Sequence, residues 1–164
     1  MKQELKNAYE KVSTGTELRA GLIEMKNLLK EEKNRRELAY QLGGDFKILT
    51  RCLSDEDPKV RKNAALVLGA MESDDLVPVL LNAYKKEDTL FVKSAYLKAL
   101  FDLDYEEELP YLKERLQELD ETPVTEENQK HLREEAGMLQ QLISQKEKHK
   151  KHTFDGFDRQ VEVI

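Results

Sequence analysis

The sequence predicts an all-α fold, a solenoid of about four helix pairs followed by a short extended tail. Three observations carry this. One helical pattern recurs along the chain, and within each copy the apolar residues fall at helical spacing. The composition also suits a thin structure with much surface: 39% apolar and 37% charged over 164 residues. Compact domains usually run to roughly 45–50% apolar, glycine included, and about 25% charged. A solenoid tolerates the shortfall, because each repeat touches only its neighbours.

Residues 17–30 read as the first helix, with Leu18, Leu22, Met25 and Leu29 as its apolar stripe. Its partner begins at Arg35, and Gly43-Gly44 closes it as a C-cap and turn. A short second pair starts at Asp45–Leu53 and continues into the clearest unit, residues 54–70. There Asp57 is a good N-cap and Pro58 suits the first helical position. Val60, Ala64, Val67, Leu68 and Met71 then share one face. Leu76–Tyr84 and residues 91–100 form the third pair, Leu109–Leu119 and residues 132–139 the fourth. The insertion 120–125 lengthens the last hairpin, and Thr125 before Glu126, Glu127 and Asn128 is a helix start. Arg35–Gly43 superposes on Arg61–Gly69 at a spacing of 26, Val92-Lys93 on Val60-Arg61 at 32, and Arg133 lies 40 beyond Lys93.

The run Asp57-Pro58-x-Val60-Arg61-x-x-Ala64-Ala65-x-x-Leu68-Gly69 resembles the second helix of a HEAT repeat, and the likeness extends over about residues 17–145. The resemblance implies a right-handed α-solenoid whose second helices line a concave face, and a repeat domain spanning 1–145. The first repeat lacks the Asp-Pro start, having Glu32-Lys33-Asn34 there.

Residues 146–164 read as a basic linker and extended tail. Lys146-Glu-Lys-His-Lys-Lys-His152 is basic, Asp155-Gly156 is a turn signal, and Val161-Glu162-Val163-Ile164 alternates like a strand. A lone strand leaves its backbone groups unpaired. Val161, Val163 and Ile164 are therefore expected to meet a second copy or an adjacent domain. The tail resembles the junction between an N-terminal HEAT region and a C-terminal RNA methyltransferase domain of some bacterial proteins. That implies a missing S-adenosylmethionine-dependent domain beyond Ile164.

The formal charge is −6. Residues 45–125 carry eleven Lys/Arg against eighteen Asp/Glu, and both ends are near neutral. This is not the balance of a dedicated nucleic-acid binder. The single cysteine, Cys52, excludes an internal disulfide and fits a cytoplasmic protein; it is expected in the core. No segment reads as a secretory signal or a membrane span.

No phosphate loop, nucleophile elbow or zinc motif is present. His131 with Glu135, and His149 with His152, offer two ligands each, too few for a structural zinc. No cofactor or metal is expected. The acidic groups Asp55-Glu56-Asp57, Asp74-Asp75 and Glu106-Glu107-Glu108 fall in turns, where carboxylates complement helix N-termini. Tyr96 aligns with Ala64 and is expected in the core.

Arg35, Arg61, Lys93 and Arg133 occupy equivalent positions. Two readings stand for them: pairing with turn acids of an adjacent repeat, as the resemblance implies, or contact with a partner. Arg36, Lys62 and Lys98 are the better exposed candidates for a partner surface. The expected function is a scaffold module that binds protein or RNA on the second helices, accessory to a larger protein, with no catalysis of its own. The alternative is a HEAT-like enzyme, a DNA glycosylase or bilin lyase. Against the glycosylase stand the lack of Trp and the acidic middle.

Overall fold

The computed structural model describes residues 2–103 and 108–163. Its helices are α1 (Gln3–Thr14), α2 (Leu18–Leu28), α3 (Glu32–Leu42), α4 (Lys47–Thr50) continued by a 3₁₀ turn (Arg51–Ser54), α5 (Pro58–Gly69), α6 (Leu76–Lys86), α7 (Leu90–Asp102), α8 (Glu108–Glu121) and α9 (Gln129–Val163). No strand occurs among the described residues. The chain divides into two compact units, Met1–Tyr105 and Glu106–Ile164.

The first unit is two layers of helices. α2, α5 and α7 lie side by side in one layer, and α1, α4 with its 3₁₀ turn, and α6 back them in the other. Leu5, Ala8 and Val12 of α1, Leu22 and Met25 of α2, Ala64 and Leu68 of α5, Leu80 and Tyr84 of α6, and Tyr96 and Leu100 of α7 fill the space between. Small residues set the close approaches. A Cβ on Gly69 of α5 would lie 2.7 Å from the Cα of Ala99 on α7.

Two features of this unit differ from what the sequence suggests. α1 precedes the first repeat read from the sequence, and it makes α2 a second-layer helix rather than the first member of a pair. Its stripe of Leu5, Ala8 and Val12 is short and lies among six charged or amide residues, which mask it. Correspondingly, α3 does not stack on α5 as the spacing of 26 implies. Parallel contacts tie α2 to α5 instead: Arg19 Nε donates to Asp57 Oδ2 at 3.0 Å and Lys26 Nζ to Asn63 Oδ1 at 3.1 Å.

The second unit is the hairpin of α8 and α9. In the turn before α9, Thr125 Oγ1 accepts from the Asn128 backbone and Asn128 Oδ1 accepts from the Thr125 backbone, the reciprocal cap its sequence predicts. The extended tail is overturned. α9 runs on through the basic run, the Asp155-Gly156 turn signal and on to Val163. A helix satisfies its backbone groups within the segment, which an unpartnered strand cannot do. One internal glycine costs only about 1 kcal/mol against alanine. Residue 145, the expected domain boundary, is thus inside α9. The proposed contact residues Val161 and Val163 fall on the same helix; their side chains, together with Ile164, lie outside the described residues, as do Glu106 and Glu107.

Candidate functional site

α5 begins where the sequence says it should. Asp57 accepts from the Lys59 backbone at 2.9 Å, and Pro58 occupies the first turn. One turn on, Arg61 is drawn inward. Its Nη1 donates to the carbonyls of Asp55 and Glu56, and its Nε and Nη2 reach the two oxygens of Glu87 at 2.9 and 3.0 Å. Glu87 also accepts from the Thr89 backbone at 3.1 Å and from the Tyr96 hydroxyl at 3.5 Å. Burial alone would push the Glu87 carboxyl up; Arg61 and Thr89 outweigh it and hold it below the usual carboxylate range. Burial pushes the Tyr96 phenol well up, and the Glu87 charge adds to it. These groups line a cleft of about 470 Å³ between α6, α7 and the start of α5. Arg61 and Glu87 are spent on each other where α5, α6 and α7 meet, so the cleft is a joint between repeats.

The equivalent basic positions follow the same inward course. Lys93 is only 6% exposed, with its ammonium 5.3 Å from the Tyr84 ring centroid. Arg35 donates to the carbonyls of Leu29 and Lys30 and meets Glu72 at 3.5 Å. Arg35 and Arg61 therefore pair with turn acids, the first of the two readings of this position. Arg133 differs: it is exposed and lines the groove between α8 and α9, with Leu116, Leu132 and Ile143. In that unit the inward charge is Arg115, on α8, which grips the buried Glu135 through Nε at 2.9 Å. His131 Nε2 lies 3.1 Å from the same carboxylate. Among the described residues no group of three metal-ligating side chains forms. Burial pushes the Tyr111 phenol up to about 12.

The three exposed candidates separate. Arg36, on α3, is engaged by Glu32 at 2.7 Å, and Lys98, on α7, by Asp102 at 3.1 Å. Both are surface pairs within one helix, worth about 0.3–0.5 kcal/mol and easily exchanged. Lys62 is half-buried on α5 and close enough to Lys26 of α2 for the two charges to repel. Lys30, in the turn just beyond the end of α2, also acts on Lys26. Burial, Lys62 and Lys30 together push the Lys26 ammonium below the usual lysine range. Lys26, Lys30 and Lys62 have no carboxylate partner among the described residues. Asn63, 5% exposed, anchors the cluster: its Oδ1 accepts from Lys26 and its Nδ2 donates to the Lys59 carbonyl at 2.8 Å.

Lys26, Lys30 and Asn63 are not evident from the sequence, because the repeat spacing of 26 sets α3, not α2, beside α5. A signal was present: Asn63 lies three residues after Val60 and four before Val67, on the stripe that the helical period buries. Glu87 likewise stands in the charged run Lys85-Lys86-Glu87-Asp88, with nothing local to mark it as buried.

The description of HEAT repeats matches residues 46–130, just over half of the chain, from the residue before α4 to the start of α9. The chain belongs to the HEAT repeat family. No curated protein and no solved structure matches it. The HEAT match begins after α3, the helix that departs from the stack. No helix among the described residues is long and apolar enough to cross a membrane.

Proposed function

We propose that this HEAT chain is a protein-binding scaffold, that its binding face is the open side of α2, α5 and α7, and that it performs no catalysis itself. One observation carries the assignment. The equivalent cations of the repeat joints, Arg61 and Lys93, are turned inward, and an unneutralised lysine cluster remains at the surface of the helices beside them. HEAT repeats commonly serve as protein- or RNA-binding scaffolds. The same open side carries partly exposed apolar residues, Ile23 and Phe91, at 37% and 44%. Apolar anchors within a polar rim suit a protein partner. A binding role also accords with Arg61 and Glu87 in the cleft, whose net shifts follow from their pairing with each other. That the chain is accessory to a larger protein is part of the same proposal, and it rests on the resemblance of the tail to a methyltransferase junction. The native reading frame past Ile164 tests it.

Photo-crosslinking side chains placed at Ile23, Phe91 and Ser94, against controls at Asn7 of α1 and Asn82 of α6, test the face in the native cell. The same protein is expected from all three open-side positions and from neither control. Equal labelling from both layers would refute the face.

A further inference from the structure

We infer that the Lys26–Lys30–Lys62 cluster is the recognition site for an acidic segment of a protein partner, with carboxylates meeting the lysines and an apolar side chain resting on Ile23. This rests on the open side of α2, α5 and α7 being the binding face. The geometry is that of a built site. Lys26 is held at the seam of α2 and α5 by Asn63, a buried amide whose remaining donor is fixed to the Lys59 carbonyl. A flexible surface lysine would swing away from like charges; this one is tied beside them.

Several other cations of the unit, Lys2, Lys11, Arg19, Arg35, Arg36, Arg61 and Lys98, each have a carboxylate within 4.0 Å. Lys30 and Lys62 act on Lys26, and no carboxylate is among the causes of the Lys26 shift. Like charges gathered without a counter-ion destabilise the fold, and an arriving anion relieves that repulsion. Lys59, exposed one turn before Lys62, extends the positive edge along α5.

An acidic protein segment fits better than a nucleic acid. A phosphate backbone needs a basic track along its length, and the chain as a whole carries −6. Single-stranded RNA also favours aromatic platforms beside the cations. Here the neighbours on α2 and α5 are the aliphatic Ile23 and Leu66. Three lysines beside an aliphatic side chain match a short run of Glu or Asp with Leu or Ile among it.

The probes are a short labelled peptide alternating Glu and Leu, its Gln-for-Glu counterpart, and labelled oligouridylate, each titrated against the full chain at low salt. The acidic peptide is expected to bind, the neutral one to bind at least tenfold more weakly, and rising salt to weaken the complex. The double variant Lys30→Gln/Lys62→Gln, which leaves the half-buried Lys26 in place, should lose about tenfold, as expected for charged contacts. Adding Lys26→Met, which keeps the aliphatic packing, should abolish the salt dependence. Absence of peptide binding, or binding indifferent to these variants, overturns the inference. Tighter binding of oligouridylate through the same lysines overturns it in favour of phosphate. In each case a crosslinked partner on the open side would leave the scaffold assignment standing, whereas equal crosslinking from both layers would remove the binding face and, with it, the ground for this inference.

Discussion

α3 and α5 carry one sequence pattern and take two different places in the molecule. Arg35 and Arg61 close the same loop, each donating through Nη1 to the carbonyls six and five residues before it. From there the helices diverge. α5 lies between α2 and α7, with Ala64 and Ala65 fully buried; α3 buries Leu38 and Leu42 but leaves Tyr40 89% exposed. The comparison separates what a local pattern fixes, the turn and the start of a helix, from what it does not, the neighbour against which the helix stacks. Small residues on two sides let α5 be approached closely from both. α3 has Leu38 and Gln41 where α5 has Ala64 and Val67.

The acids that meet the two arginines provide the largest contrast. Glu87 is 5% exposed and answers Arg61 through both oxygens; Glu72 is 72% exposed and touches Arg35 at 3.5 Å. Removing one partner of a buried pair costs about 3–5 kcal/mol. Arg61 keeps its two carbonyl acceptors, so Glu87→Ala should cost about 3 kcal/mol, at the low end of that range. Glu72→Ala should cost under about 1 kcal/mol, as for other exposed pairs. Urea midpoints of the two variants measure the difference, and equal losses would mean that the two joints are alike. The pairing also has a pH signature. The Glu87 carboxyl is held below its usual range, so its stabilisation is present above the unfolded value of about 4.3 and disappears as pH falls through the folded value. The gap between wild type and Glu87→Gln should therefore be full at neutral pH and close in acid.

The two equivalent glycines give the next contrast. Gly43 has φ +58° with open space around its Cα, whereas Gly69 abuts Ala99. Alanine at 43 should cost about 1 kcal/mol through left-handed strain. Alanine at 69 should cost about 1–3 kcal/mol through overpacking, offset in part by better helix propensity. Asparagine discriminates between the causes. It tolerates the left-handed region, so Gly43→Asn should lose only a few tenths of a kcal/mol relative to wild type. Gly69→Asn, bulkier than alanine, should be worse than Gly69→Ala. Thermal midpoints that rank both asparagine variants alike would show that one constraint acts at both sites.

This contrast explains how much the sequence reveals. Helices α5, α6, α7 and α8 were readable because each combines a start signal or apolar stripe with a repeat of the pattern. The burial of Cys52 and Tyr96 and the cap at Asp57 follow from the same local rules. The stacking order was not readable, because Arg35–Gly43 satisfies every local requirement of a stacked helix. The lysine cluster depends on that order. Lys26 and Lys62 are 36 residues apart and become neighbours only when α2, and not α3, lies beside α5. The tail was misread for the converse reason. Alternating Val161 and Val163 is a strand signal only when a second strand exists to pair with it.

The smallest expected effect tests the placement of α3 most directly. Tyr40 and Leu66 hold the same position of the shared pattern. Leu66 is half-buried on α5, so Leu66→Ser should cost about 1 kcal/mol, part of the roughly 1.5–3 kcal/mol of a fully buried leucine. Tyr40 stands 89% exposed, so Tyr40→Ser should fall within about 0.5 kcal/mol of wild type, the usual range for a surface site. If α3 instead stacked on α5 in the manner of a regular repeat, the tyrosine would sit at a helix contact. Its loss would then exceed that of Leu66, since an aromatic ring buries more surface than a leucine side chain. Denaturant midpoints of the two serine variants decide the order: Leu66 above Tyr40 keeps α3 outside the stack, and the reverse order places it within.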